Sequence, residues 1–369
     1  MLKSTVGTGS SEFVQSGVVT LDTRTTAAQG WRSTDVERRR GPASGRGSTV
    51  SVDFDTARHR VGSAGTGDPR TTAERLLRST ADNALDGELD IDWDAPLDPT
   101  KAWLTERRGT LFGTKMWDAL TPEQQLTLGR AEAVAVLSYG IVAEMGLCNN
   151  LLRRVFHVED FTEPQVLYSL TEVAEETRHS TMFGRLINKA DMPAWPAPAP
   201  LNWALRLMGF VPHGPLIFAI TLIVEEMLDA VQREATRDEN VQPHVRQMMR
   251  IHILEEARHI TYARTELVQA IENCGPISLA INRVLIGLLV LIVMPTLIDP
   301  RAYISVGISP TRGWLVAQRS PHYRANATFA CGPMLRFFGE AGLIRGRVTT
   351  LLYRASRSLP EGLLASLRR

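Results

Sequence analysis

Two pentapeptides in this chain share the pattern Glu-Glu-x-Arg-His: residues 175–179 and 255–259, set 80 positions apart. In each, the second glutamate (Glu176 or Glu256) stands three residues before the histidine (His179 or His259). Three residues of α-helix turn through about 300°, leaving carboxylate and imidazole within roughly 60° of each other. One such pair arises easily by chance. Two of them supply what a carboxylate-bridged two-metal site in a helical bundle takes from two of its helices, the other two giving one Glu each.

The first long helix offers Glu132 and Glu144. Plotted at 100° per residue, Ala133, Leu137, Ile141, Cys148, Leu151 and Val155 fall within about 60° of Glu144, whereas Glu132 is turned about 120° away. A carboxylate centred on a core-facing apolar stripe is costly unless a cation pairs with it, so Glu144 is the expected ligand. In the third helix Glu225 and Glu226 are neighbours, and helical phase does not separate them. Repeat spacing does: Glu144 precedes Glu176 by 32 residues and Glu225 precedes Glu256 by 31. Glu225 is therefore expected, with Asp229 and Gln232 on its stripe as acceptors for ligand imidazoles.

His252 lies four residues before Glu256 and seven before His259, on the same face. For a lone histidine the expectation is a core side chain bonded to backbone. Here two ligands already occupy that face, and a third nitrogen ligand is expected. Glu175 with Arg178, and Glu255 with Arg258, are expected on the side away from the ligands, as solvated or interhelical ion pairs. Cys148 is expected to be a small hydrophobe. His59, His157, His213, His244 and His322 have no partner at useful spacing.

The elements that must position these groups are all helical. Thr121-Pro122 and Glu163-Pro164 read as helix starts, giving helices to about His157 and Ala190. A third runs from about Pro215 to Arg237, and a fourth from Pro243 to Cys274, where Gly275-Pro276 stops it. The Pro-rich segment 192–200 separates two helix pairs as an extended crossover. No strand-like alternation of useful length is present. The predicted fold is all-α: a ferritin-like four-helix bundle with additional helices. An apolar helix over 277–298 is expected to be buried in it, because the charge-free run 284–298 falls short of the ~20 residues that cross a bilayer. Two or three shorter helical segments are expected over 311–369.

Residues 1–72, rich in Gly, Ser, Thr and Arg, are expected to be a disordered extension, with one oxygenase-like domain over 73–369. A net charge of +1 gives no electrostatic reason to expect nucleic acid as a partner. Three scattered cysteines form neither a disulfide framework nor a thiolate metal site. With no apolar stretch after Met1, a cytoplasmic protein is expected, and membrane association is not. Mixed carboxylate and imidazole ligands without thiolate suit two iron ions, with manganese able to occupy one position.

The arrangement Glu144, Glu176-x-x-His179, Glu225, His252-x-x-x-Glu256-x-x-His259 resembles the p-aminobenzoate N-oxygenase (AurF-like) family of non-haem diiron oxygenases. The third histidine is its distinguishing mark. The lead-in 90–96 and the tail around Pro300-Arg301-Ala302-Tyr303 also look like family members. The resemblance covers roughly 74–345. It implies a diiron centre held by those seven residues, O₂ as co-substrate, an external electron donor, a homodimer, and oxidation of an aromatic amine to hydroxylamine and nitro. Alternatives on the same centre are a hydroxylase, an acyl desaturase, a ribonucleotide-reductase-like oxidase or a non-catalytic iron-binding protein. The radical oxidase would need a tyrosine beside the metals, and Tyr139 and Tyr262 both fall off the ligand face.

Overall fold

A computed structural model describes residues 67–367 apart from 198–201, 204–205 and 207–209. The expected N-terminal extension lies almost wholly outside the described residues. The first described helix, α1, is Pro69–Asp82, a few residues ahead of the expected start of the domain, and the Asp68 side chain caps it by accepting from the Thr71 amide at 3.0 Å.

The bundle is α2 (Pro122–Phe156), α3 (Pro164–Lys189), α4 (Pro215–Arg237) and α5 (Pro243–Glu272). Each starts on a proline, whose missing amide is one that no helical carbonyl would have bonded. Thr121 and Gln124 add a reciprocal capping box to α2. Helix α2 packs along α3 and α4 along α5, while α3 also meets α5 and α1 lies across both. No strand occurs among the described residues beyond one isolated bridge, Ala102 with Val241. The acidic and aromatic stretch before it straps the bundle from outside. Ile91 and Trp103 are buried against α2, α3 and α5, and Lys189 Nζ donates to the Trp93 carbonyl at 2.8 Å.

Four helices follow: α6 (Pro276–Thr296), α7 (Pro310–Arg319), α8 (Pro321–Glu340) and α9 (Arg347–Ala355). A last turn covers Leu363–Ser366. The C-terminal region is thus more helical than expected, and α8, at 20 residues, is not short.

The expectation for 277–298 also needs correction. Helix α6 is not buried in the bundle. Ile286, Gly287, Val290 and Met294 face a second core shared with α4, α5, α8 and α9. On its other side Ile277, Ile281, Val284, Leu285, Leu288 and Ile292 are exposed. The four bundle helices already close the core around one another. Apolar composition says that a helix avoids water, and not what covers it.

Candidate metal centre

Helices α2 to α5 bring two groups of donors to the middle of the bundle. The first is Glu144, His179, His252 and Glu256; the second is Glu172, Glu176, Glu225 and His259. All eight are buried, and within each group one ligand atom per residue lies within 4.8 Å of the others. The seven residues expected from the sequence are all here. The eighth, Glu172, is not among them.

Glu176 and Glu256 span the two groups. Glu176 Oε2 is 3.2 Å from His179 Nδ1, and its Oε1 is 3.0 Å from His259 Nδ1. Glu256 reaches the same two nitrogens, at 3.1 Å and 3.5 Å. Each carboxylate therefore presents one oxygen to each half, which is the posture of a bridging ligand. Glu144 completes the first half from α2 and Glu225 the second from α4. Glu226 points elsewhere, to Arg264, whose Nε donates to it at 3.1 Å. That ion pair holds Glu226 outside both donor groups.

The imidazoles are held from behind. His179 Nε2 donates to Glu255 Oε2 and His259 Nε2 to Glu175 Oε2, both at 2.8 Å. With the proton on Nε2, the Nδ1 lone pair of each ring is directed at the cluster. Arg178 donates to Glu255 at 3.2 Å and Arg258 to Glu175 at 2.6 Å. The interhelical pairing expected of the four residues is present, but their expected position is wrong. Glu175 and Glu255 are each only 1% exposed and sit directly behind the ligands of the opposite helix. Phase along a single helix does not contain the face of its neighbour, and α3 and α5 press together along this line.

His252 is turned the other way round. Its Nδ1 donates to Gln232 Oε1 at 2.8 Å, leaving Nε2 toward Glu144 and Glu256, 3.5 Å and 3.6 Å away. Its ring stands 4.5 Å from that of His179. The first half thus holds two imidazoles and the second half one. Asp229, the other acceptor expected on that stripe, is bonded instead to Arg233 Nε at 2.8 Å, and no hydrogen bond joins it to an imidazole among the described residues.

The AurF family profile, described as p-aminobenzoate N-oxygenase AurF, matches residues 66–342. The chain belongs to this family. It is an oxidoreductase family, and this member also resembles the uncharacterized proteins Rv0885 of Mycobacterium tuberculosis and Mb0909 of Mycobacterium bovis. Each is 31% identical over 188 residues, covering 48% of this chain and 54% of the relative, so the match spans about half of their length. Among solved structures, an R2-like ligand-binding oxidase mutant with an Mn/Fe cofactor aligns over 80% of this chain and 94% of its own. Its identity is 13% and its TM-score 0.38. Another mutant of that oxidase, with an Mn/Mn cofactor, gives 12% and 0.36 over 79% and 92%.

The family member's centre fits a pair of cations on its own chemistry. Glu225 has neither oxygen hydrogen-bonded; nor has Glu256, and Glu144 Oε2, Glu172 Oε2, Glu176 Oε1 and His259 Nδ1 are likewise buried without a hydrogen-bond partner. Acceptors facing acceptors in a dry interior are stable only around a positive charge. Against burial, hydrogen bonds to Glu176 and Glu255 hold His179, and the charges of Glu256 and Glu172 hold His259, well above the usual imidazole range, so each carries a proton that a bound cation would displace. With those protons gone, five carboxylates and three imidazoles nearly balance two divalent ions. Burial, reinforced by Glu176 and Glu256, holds the Glu144 carboxyl well above the usual range. Burial and Glu256 do the same to Glu225, and burial pushes Glu172 up to about 8. Burial pushes His252 down to about 4, which keeps it neutral as a ligand must be. Cys148 is raised to about 12 by burial and then by Glu176 and Glu144, so it remains a neutral thiol near the centre and stands outside both donor groups.

Glu172 has its own signal in the sequence. It lies 80 positions before His252, the same offset that relates the two pentapeptides. The internal repeat therefore runs one turn further back, from Glu172 in α3 to His252 in α5.

Proposed function

We propose that this protein is an O₂-dependent monooxygenase that oxidises the nitrogen of a small aromatic amine, using two iron ions held among the four helices α2, α3, α4 and α5, with manganese able to replace one. The observation that supports this most is the pair Glu176 and Glu256, each spanning His179 and His259, with His252 added to one half. Two ferrous ions bound there supply the electrons and Lewis acidity by which O₂ is activated.

The chain's own part is positional. Glu144, Glu176, His179, His252 and Glu256 form one half of the ligand set, and Glu172, Glu225 and His259 complete the other with the shared carboxylates. Glu175, Glu255 and Gln232 fix the rings, so that lone pairs face the ions before they bind. Burial keeps bulk water from consuming the oxidant. The first oxygenation balances as amine plus O₂, two electrons and two protons giving hydroxylamine and water, so an external electron donor belongs to this reading, as does a homodimer. A radical oxidase fits less well. Tyr139, one of the tyrosines considered for that role, gives its hydroxyl to Asp299 at 2.6 Å and accepts from Arg301 at 3.2 Å.

The test begins with metal content: purified protein is expected to hold about two irons per chain. Loaded protein is then given O₂, a reductant and either aromatic amines or fatty acyl thioesters. Hydroxylamine or nitro products from amines alone support the reading; desaturated thioesters, or one zinc per chain, overturn it.

A further inference from the structure

We propose that the outer face of α6, together with α9 beside it, docks the protein on an anionic lipid surface, along which α6 lies without crossing it. This is independent of the metal centre. Ile277, Ile281, Val284, Leu285, Leu288 and Ile292 recur at helical spacing on one stripe of α6, and all are exposed, Ile277 by 78% and Ile292 by 55%. At 1.5 Å per residue the stripe from Ile277 to Ile292 runs about 22 Å along the 21-residue helix. Helix α9 abuts α6 where Gly287, lacking a side chain, leaves room for Leu352 and Tyr353. Within one turn of that contact α9 exposes Val348 by 60% and Leu351 by 67%.

Charge decides what covers this face. Neither 276–298 nor 341–360 contains an Asp or Glu, whereas Arg345, Arg347 and Arg354 are exposed on and beside α9. No ion pair engages these three among the described residues. An aliphatic stripe with a basic margin complements phosphate headgroups over acyl chains. A second copy fits less well, because an isologous contact sets like surfaces together and here offers no acid to the arginines. The stripe also lacks the aromatic residues that anchor protein interfaces. By length and composition α6 and the turn after it qualify as a membrane span. Spanning, however, would pull Ile286, Val290 and Met294 out of the core they share with α4, α8 and α9. Lying in the interface leaves that core intact.

The experiment is cosedimentation of the full-length protein with vesicles of phosphatidylcholine alone or with phosphatidylserine added, alongside sedimentation velocity without lipid. Binding is expected to the phosphatidylserine vesicles and to weaken with salt. Arg347→Gln with Arg354→Gln is expected to cost on the order of tenfold in affinity for them. Ile281→Gln with Leu288→Gln is expected to abolish binding with an unchanged circular dichroism spectrum, since both side chains are exposed. Protein that stays in the supernatant with both vesicles overturns the proposal. So does equal binding to both, which removes the role of charge. A wild-type dimer that the Ile281/Leu288 variant converts to monomer assigns the face to a second copy instead.

Discussion

Glu255 on α5 accepts the Nε2 proton of His179 on α3 at 2.8 Å, and in the mirrored arrangement Glu175 on α3 accepts that of His259 on α5 at the same distance. Each pentapeptide therefore supplies a ligand pair to the centre and a brace to the other's imidazole. The two Arg residues lock the braces, Arg258 on Glu175 and Arg178 on Glu255.

Removing a brace is expected to weaken metal binding without removing a ligand. Glu255→Ala leaves His179 Nε2 unpaired and frees the ring to rotate, a loss of about 10–100-fold in metal affinity. Glu255→Gln retains an acceptor and falls between. Competition with a chelator measures both; wild-type retention in Glu255→Ala would falsify the bracing role.

The neighbours Glu225 and Glu226 are expected to fail differently. Glu225→Ala loses metal from the second half of the centre. Glu226→Ala keeps its metal but leaves Arg264 unpaired in the interior, at about 3 kcal/mol of stability. Metal analysis and urea denaturation on the two variants separate the roles, and metal loss in Glu226→Ala reverses the assignment.

The two halves are expected to be unequal. Two imidazoles face one ion and one imidazole the other, so Mössbauer spectra of iron-loaded protein are expected to resolve two environments. His252→Ala brings them closer together. Glu172→Ala is expected to lower occupancy of the half that holds His259; full occupancy with an unchanged spectrum shows that Glu172 is not a ligand.

Metal loading is expected to release protons and to weaken as pH falls. Burial keeps Glu144 and Glu225 protonated well above the ordinary range, and Glu172 up to about 8, while ligation requires the carboxylates. Protons and metal therefore compete, and acid favours the protons. Calorimetric titration in buffers of different ionisation enthalpy counts the protons released; affinity that is flat between pH 6 and 8 contradicts the competition.

Glu132, the first-helix carboxylate that lies outside both donor groups, is expected to contribute its own pH dependence. Its oxygens accept from the Thr110 amide and hydroxyl, and burial raises its pKa to about 7. Between an unfolded value of 4.5 and about 7 the folded chain holds a proton that the unfolded chain lacks. Stability from this group is thus fully present below 4.5 and is lost as pH rises through 7, by up to about 3 kcal/mol. Glu132→Gln is expected to remove that loss, so its urea midpoint should exceed wild type at pH 8 by more than at pH 5. A constant difference counts against the assignment.

The bundle helices were legible because their starts are chemically marked: a proline opens each of the four, and apolar residues recur at helical spacing behind it. The candidate donors were legible where one helix contains the reason, as with Glu144 on its apolar stripe and the two Glu-x-x-His pairs. Glu172 was also within reach, through the 80-residue repeat. Glu175 and Glu255 were not. Their burial arises only when α3 and α5 are pressed together, and nothing along either helix records the face of the other.

The sequence by itself determined an all-α bundle, the donor types and the seven residues that converge on its centre, because helix period and the cost of buried charge act locally. Tertiary structure decided three further things. It placed Glu176 and Glu256 between the two histidines, turned His252 toward His179 rather than His259, and left one side of α6 in the open. Each depends on distances between helices, which no spacing along one chain segment contains.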